Sequence, residues 1–462
     1  MKVFNIIISI TFILLVHTGC KKYVDIKTQG SLVPQETINY RYLLNNQGTF
    51  EGTARMMDLA ADDINIIDSA QMASLAAANY YLYFVNTYTW QPGIYTISGE
   101  TDVEWDALYK VVYNSNVIIA ETPASTGGTD SMKNELIAEA KVYRAEAYLT
   151  LVNLYAKPYN AATAATDEGV PLIMAPTIDA KLSRAPVADV YKLIIDDLTA
   201  VYPLLPKVNA YNTLPSCAAA FAILARANLY MGNYEQAGSW ADSALTIKNT
   251  LNNLSTLTTF TYPGRLKNPE IILSKQPYSG FSYMPTALRL SDSVLNLLGT
   301  SDLRYSFFTT PASYFSSTLY TGRFSFRENI GQYETRNVGP SVPEMMLIKA
   351  EAQARKGDVN GALTNINKLR QNRFTTAAYV PVTASTASEA LVQVIKERQR
   401  EFFCKGLRWF DMRRLKSDPL FSYTVTRKFR GTTYTLDPSS NRYVFPISDY
   451  YRQFNPGITA NP

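Results

Sequence analysis

Along "KNELIAEAKVYRAEAYLTLVNLYA", apolar or small side chains recur at Leu136, Ala140, Tyr143, Ala147, Leu151 and Leu154. Steps of three and four put them in one stripe of an amphipathic helix, and its alanines let a neighbouring helix come close. A helical pair follows in "AAFAILARANLYMGNYEQAGSWADSALTI", broken at Gly232 and Asn233; another lies in "EMMLIKAEAQARKGDVNGALTNINKLR", broken at Gly357 and Asp358. Laid over each other, these pairs agree at Ala225 and Ala350, Ala227 and Ala352, Gly232 and Gly357, and Ala237 and Ala362. Small residues where helices cross, with a glycine able to take positive φ at the turn, are the pattern of a tetratricopeptide hairpin. The copies stand too far apart for a tandem array. The pattern therefore predicts a mainly α fold, a helical scaffold over about residues 100–250 and 340–415 with a long insertion.

That insertion, from about Leu251 to Pro343, has little helical period and many aromatic residues, among them Tyr278, Phe281, Tyr283, Tyr305, Phe307, Phe308, Tyr314, Phe315, Tyr320, Phe324, Phe326 and Tyr333. Long irregular stretches in a compact domain tend to be functional. A second aromatic cluster, "NYYLYFVNTYTWQPG", precedes the helical stretch "VEWDALYKVVYNSNVIIAE". Within it Trp90 has Asn86, Tyr88 and Gln91 around it and is stopped by Pro92 and Gly93, which reads as an exposed loop. A sugar ring presents an apolar C–H face and a rim of hydroxyls, so aromatic faces with a few polar side chains suit it. The candidate ligand-binding residues are Trp90 first, with Tyr88, Tyr283, Tyr305, Tyr314 and Tyr320.

The hydropathy pattern changes at the N-terminus. "MKVFNIIISITFILLV" is a single Lys2 followed by a run that is apolar apart from Asn5, Ser9 and Thr11, shorter than the roughly 20 residues that span a bilayer. It reads as a secretory signal over residues 1–19. The mature chain, 20–462, is expected to form one domain, with residues 251–343 as its irregular, ligand-side lobe. "TGC" at the end of the run resembles the lipobox of bacterial lipoproteins, in which the cysteine is acylated and becomes the new N-terminus; Cys20 is then the anchor.

Composition removes several chemistries. The one histidine among 462 residues is His17, inside the signal, so histidine-dependent catalytic triads and histidine metal sites are excluded from the mature chain. No metal or other cofactor is expected. The formal charge of +5 includes Lys2, and no basic run is dense enough for a phosphate backbone, so nucleic acid is not an expected partner. Cys217 and Cys404 are isolated and read as free thiols. In "ERQRE", Glu397, Arg398 and Glu401 have helical spacing and read as ion pairs holding a helix to the scaffold. Asp196 and Asp197 are neighbours on a predicted helix and point about 100° apart, so they do not converge on one bond.

The motifs "CKKYVDIKTQG", "WDALYKVVYNSN", "AEAKVYRAEAYLTLVNLYA", "GVPLI", "RAPVADVYKLIIDDL", "NPEIILS", "EMMLIKAEAQARKGD", "KERQREFFCKGLRWFDMRRL" and "FPI" follow one another in the order and spacing of a known family. Through them the chain resembles the SusD/RagB family of outer-membrane nutrient-binding lipoproteins over almost its whole mature length. The resemblance implies a helical fold on tetratricopeptide-like units, a lipid anchor at the outer membrane with the protein facing outward, and a SusC-like TonB-dependent transporter as partner. It also implies capture of an oligosaccharide or other nutrient without chemistry. The alternatives left open by the residues are a surface glycoside hydrolase or lyase using Asp and Glu, and a scaffold that binds only protein. An inward-facing carboxylate pair beside the aromatics, one with a raised pKa, would mark the enzyme.

Overall fold

The computed structural model describes residues 34–77, 82–95, 97, 99–177, 181–277, 287–315, 317–326 and 336–461. In chain order its main helices are α1 (Thr37–Leu44), α2 (Ser69–Ala77), α3 (Leu82–Tyr88), α4 (Val103–Glu121), α5 (Asp130–Tyr155), α6 (Val187–Val201), α7 (Cys217–Met231) and α8 (Tyr234–Ile247). After the insertion, which carries α9 (Asp292–Leu298), come α10 (Val342–Lys356), α11 (Val359–Gln371), α12 (Ala387–Phe402), α13 (Arg408–Leu415) and α14 (Asp449–Phe454). Strands are short and paired: β1 (Gly52–Thr53) runs parallel to β2 (Gln276–Pro277), β3 (Thr309–Pro311) antiparallel to β4 (Arg323–Ser325), and β5 (Val425–Phe429) antiparallel to β6 (Thr432–Leu436).

The helix starts are written locally. Asp102 accepts from the backbone of Glu104 and Trp105 at the head of α4, Thr129 caps α5, and Ser216 caps α7. At α12, Thr386 and Glu389 form a reciprocal capping box. α7–α8 and α10–α11 are the two hairpins read from the sequence, and in each the turning glycine, Gly232 or Gly357, is left-handed. The hairpins meet through small residues: a Cβ built on Gly238 of α8 would lie 2.6 Å from the Ala352 Cβ of α10. Across the same junction Arg226 and Glu344 form a buried two-point ion pair at 2.6 and 2.7 Å. α5 runs through the centre of the scaffold and is buried along almost all of its second half.

Two cores result. The larger joins α4 to α8, α10 to α13 and the C-terminal segment. The smaller gathers Ile64, Ile66, Phe84 and Tyr88 with Leu254, Leu288, Leu290, Val294, Phe307, Phe308 and Phe403. A buried ionic network fastens this second lobe to the scaffold. Arg304 contacts Asp302, Glu397 and Glu401 at 2.6 to 2.8 Å, and Arg373 contacts Glu401 and Glu270 at 2.8 Å. Glu397 and Glu401 are thus structural acids, as is Asp411, which Arg398 and Arg414 engage at 2.9 and 2.8 Å. Asp196 meets exposed Lys192 while Asp197 meets buried Arg144, so the adjacent pair diverges as helix geometry requires. Cys217 and Cys404 do not pair in a disulfide, the first being partly exposed and the second buried. Among the described residues no helix is long and apolar enough to cross a membrane.

Candidate ligand-binding site

Two of the aromatic candidates are core residues. α3 carries the chain past Tyr88 into a turn in which Trp90 takes φ 53°. Trp90 is 7 % exposed and its Nε1 donates to the Ala60 carbonyl at 2.9 Å. Tyr88 is fully buried, and its hydroxyl accepts from the Ile66 amide at 2.8 Å. The guanidinium of Arg427, from β5, lies 4.2 Å from the Tyr88 ring and 4.4 Å from that of Trp90. It also donates to the carbonyls of Leu59 and Tyr88 at 2.9 and 2.6 Å. The reading of Trp90 as an exposed loop tryptophan is therefore corrected: "TWQPG" is a turn, but the long-range partners Ala60 and Arg427 draw the ring into the core.

The insertion behaves differently. Hydrophobic burial fixes Phe324 and Phe326 beneath the β3–β4 hairpin. Phe315 lies on them, its ring 5.2 Å from Phe324 and 6.2 Å from Phe326. Tyr314 packs edge-on against Phe326 at 5.0 Å and Tyr320 against Phe324 at 5.8 Å. Tyr314 is 49 % exposed, and Tyr320 and Phe315 are half-buried. Thus Tyr314 and Tyr320, with Phe315 between them, form an aromatic platform on a buried base. Tyr305 stands beside it with one face already covered, since the Arg323 guanidinium sits 4.1 Å over its ring while donating to Thr309 Oγ1 at 2.7 Å. Tyr283 lies outside the described residues.

Polar groups lock the platform's edge. Asp68 accepts from the Thr321 amide at 3.1 Å and from its hydroxyl at 2.6 Å. Arg289 donates to the Thr321 carbonyl and to the Asn65 carbonyl, each at 3.0 Å. Gly322 is needed here, because its φ of +80° is one that L side chains rarely adopt. A rigid aromatic surface beside fixed polar groups can stack on the apolar face of a sugar and hold its hydroxyls. Phe315 was visible in the aromatic-rich run. Asp68, Arg289 and Thr321 carry no local signal, because their association joins segments more than two hundred residues apart.

Two carboxyls have pKa values pushed up to about 7. Burial raises that of Asp63, with a further rise from neighbouring Asp62. Burial also raises that of Asp102, with Glu104 adding to it. Neither faces the platform. Asp63 accepts from the Cys404 amide at 3.0 Å and from Gln399 at 3.1 Å. Asp102 accepts from the hydroxyls of Tyr95 and Tyr155 and from two helix amides. Among the described residues no cluster of His, Cys, Asp and Glu has the arrangement of a metal site.

Comparison with known proteins places this architecture. A family model described as SusD-like, starch-binding and associating with outer membrane, matches residues 22–229, and a second, the SusD family, matches residues 342–462. A SusD-like protein, P38, of Formosa agariphila is 21% identical, with 98% of each chain covered. Among solved structures, a SusD superfamily protein from Bacteroides thetaiotaomicron superposes with a TM-score of 0.74 at 19% identity, covering 92% of this chain and 100% of its own. A putative sugar binding protein from Bacteroides vulgatus gives 0.69 at 19% identity, covering 94% and 99%. A SusD-like carbohydrate binding protein from the same species gives 0.68 at 20% identity, covering 92% and 97%.

Proposed function

The chain belongs to the SusD family, and from that premise we propose that it captures an oligosaccharide at the outer membrane and passes it on unaltered. The observation that carries this reading is the platform of Tyr314, Phe315 and Tyr320, surface aromatics on the buried base of Phe324 and Phe326. Such a base holds the rings in place before the ligand arrives, so little ordering entropy is lost on binding. The Bacteroides vulgatus neighbours described as sugar binding and carbohydrate binding support the ligand class.

The hydrolase or lyase alternative gains no support from Asp63 and Asp102, the two carboxyls raised to about 7, because both are buried and enclosed by protein donors. Cys20, outside the described residues, is the proposed lipid anchor after removal of residues 1–19. Transfer of the captured glycan to a TonB-dependent barrel is the role proposed for the partner, on the family premise alone. Tyr283 and Tyr305 remain proposed companions of the platform. The reading is tested by calorimetric titration of the mature protein and its Tyr314→Ala variant with neutral oligosaccharides. Loss of about one to two decades of affinity is expected for the variant, since truncating a stacking anchor typically costs that much. Unchanged affinity would remove the platform from the site.

A further inference from the structure

A recess of about 430 Å³ opens between the end of α1 and the loop 209–214, with Leu266 closing its side. We propose that it is a separate binding site for a neutral oligosaccharide; the ligand class rests on the reading above, but the site does not. Its volume falls in the range of about 300–1,000 Å³ that small-ligand pockets occupy.

The floor is aromatic: the rings of Phe50 and Tyr143 lie 4.7 Å apart, and the Tyr143 hydroxyl donates to the Thr213 carbonyl. Both walls are tied to one buried acid. Glu139 accepts from Arg41 of α1 at 2.6 Å and from Asn209 of the loop at 3.3 Å. The third side is tied by Asn212, which donates to the Arg265 carbonyl at 2.7 Å. Walls so fastened do not have to be ordered by a ligand.

The rim, by contrast, is unengaged. Tyr211 is 61 % exposed. The side chains of Asn45 and Gln47 line the recess and make no hydrogen bond among the described residues. An exposed ring opposite free amides is the donor and acceptor set that a sugar's C–H face and hydroxyls require. Charge selects a neutral ligand. Arg41 is balanced by Glu139, and Glu51 is balanced by Arg265 at 2.5 Å, so no unmatched charge faces the recess. The recess is built on the larger core through Phe50 and Tyr143, whereas Phe307 and Phe308, which lead into the platform hairpin, belong to the smaller one.

The test uses the mature protein, a Tyr211→Ala/Gln47→Ala variant and a Tyr314→Ala/Tyr320→Ala variant. Malto-, cello-, xylo- and manno-oligosaccharides are titrated separately, with hydrogen exchange read over residues 209–214. Expected is protection of that loop by at least one probe. The protection persists in the Tyr314 variant and is lost in the Tyr211 variant, with affinity for that component down about tenfold. Both changed residues of the groove variant are exposed, so its thermal melt should match wild type. If a probe binds without protecting 209–214 and the Tyr211 variant binds it unchanged, the second site is wrong while the carbohydrate reading stands. If no probe binds any of the three proteins, both fall.

Discussion

Trp90 shows how a single residue's neighbours decide its role. Flanked by turn formers it reads as exposed, yet its indole donates to Ala60 and lies against Arg427. Trp90→Ala should cost about 3–5 kcal/mol of stability, as large-to-small core changes do, and a thermal or denaturant melt measures it. An unchanged melt would return Trp90 to the surface. Titration gives a second residue-scale prediction. Asp63 and Asp102 have pKa values raised to about 7, so the folded chain holds their protons more tightly than the unfolded chain does. Their contribution is whole below the ordinary carboxylate range of about 4 and is lost as pH rises through about 7. Asp411 works in the opposite direction. Burial would raise its pKa, but Arg398 and Arg414 lower it to about 2, so its contribution is present above about 4 and lost as pH falls toward that value. The melting temperature should therefore peak in mildly acidic buffer and fall toward neutrality. Asp63→Asn should flatten that fall; an identical profile would show that Asp63 does not titrate in this range.

At the scale of elements, periodicity was sufficient where packing is local and repeated. Ala225, Ala227 and Gly232, mirrored by Ala350, Ala352 and Gly357, placed both hairpins because close helix crossings and left-handed turns admit few other residues. The charged run on α12 was likewise legible as ion pairing, although its partners Arg304 and Arg373 come from segments no helical spacing could name. The platform was half visible: Tyr314 and Tyr320 stood out in an aromatic-rich run, while Asp68 and Arg289 emerge only when the chain folds back on itself. Since Glu401 faces both Arg304 and Arg373, Glu401→Gln leaves two buried guanidinium groups short of a charge. A loss of about 3–5 kcal/mol is expected in denaturant melts, because removing one partner of a buried ion pair strands the others. A change below about 1 kcal/mol would mean that α12 is held by apolar packing alone.

For the whole molecule, the helical scaffold carries an irregular lobe through a buried ionic network, and the lobe presents aromatic rings that no core needs. Anchoring is the part of this picture that rests on the N-terminal pattern. Cys20→Ser should abolish incorporation of radiolabelled palmitate and release the protein from the membrane fraction, and retention of both label and membrane association would reject the anchor. We propose capture without turnover at the platform. Its most direct test is calorimetric titration of the mature protein with neutral oligosaccharides, with the same mixtures then assayed for new reducing ends and unsaturated products. Saturable binding, lost in Tyr314→Ala/Tyr320→Ala, with every oligosaccharide recovered intact, is the predicted result. Accumulating cleavage products, or binding unchanged in that variant, would contradict it.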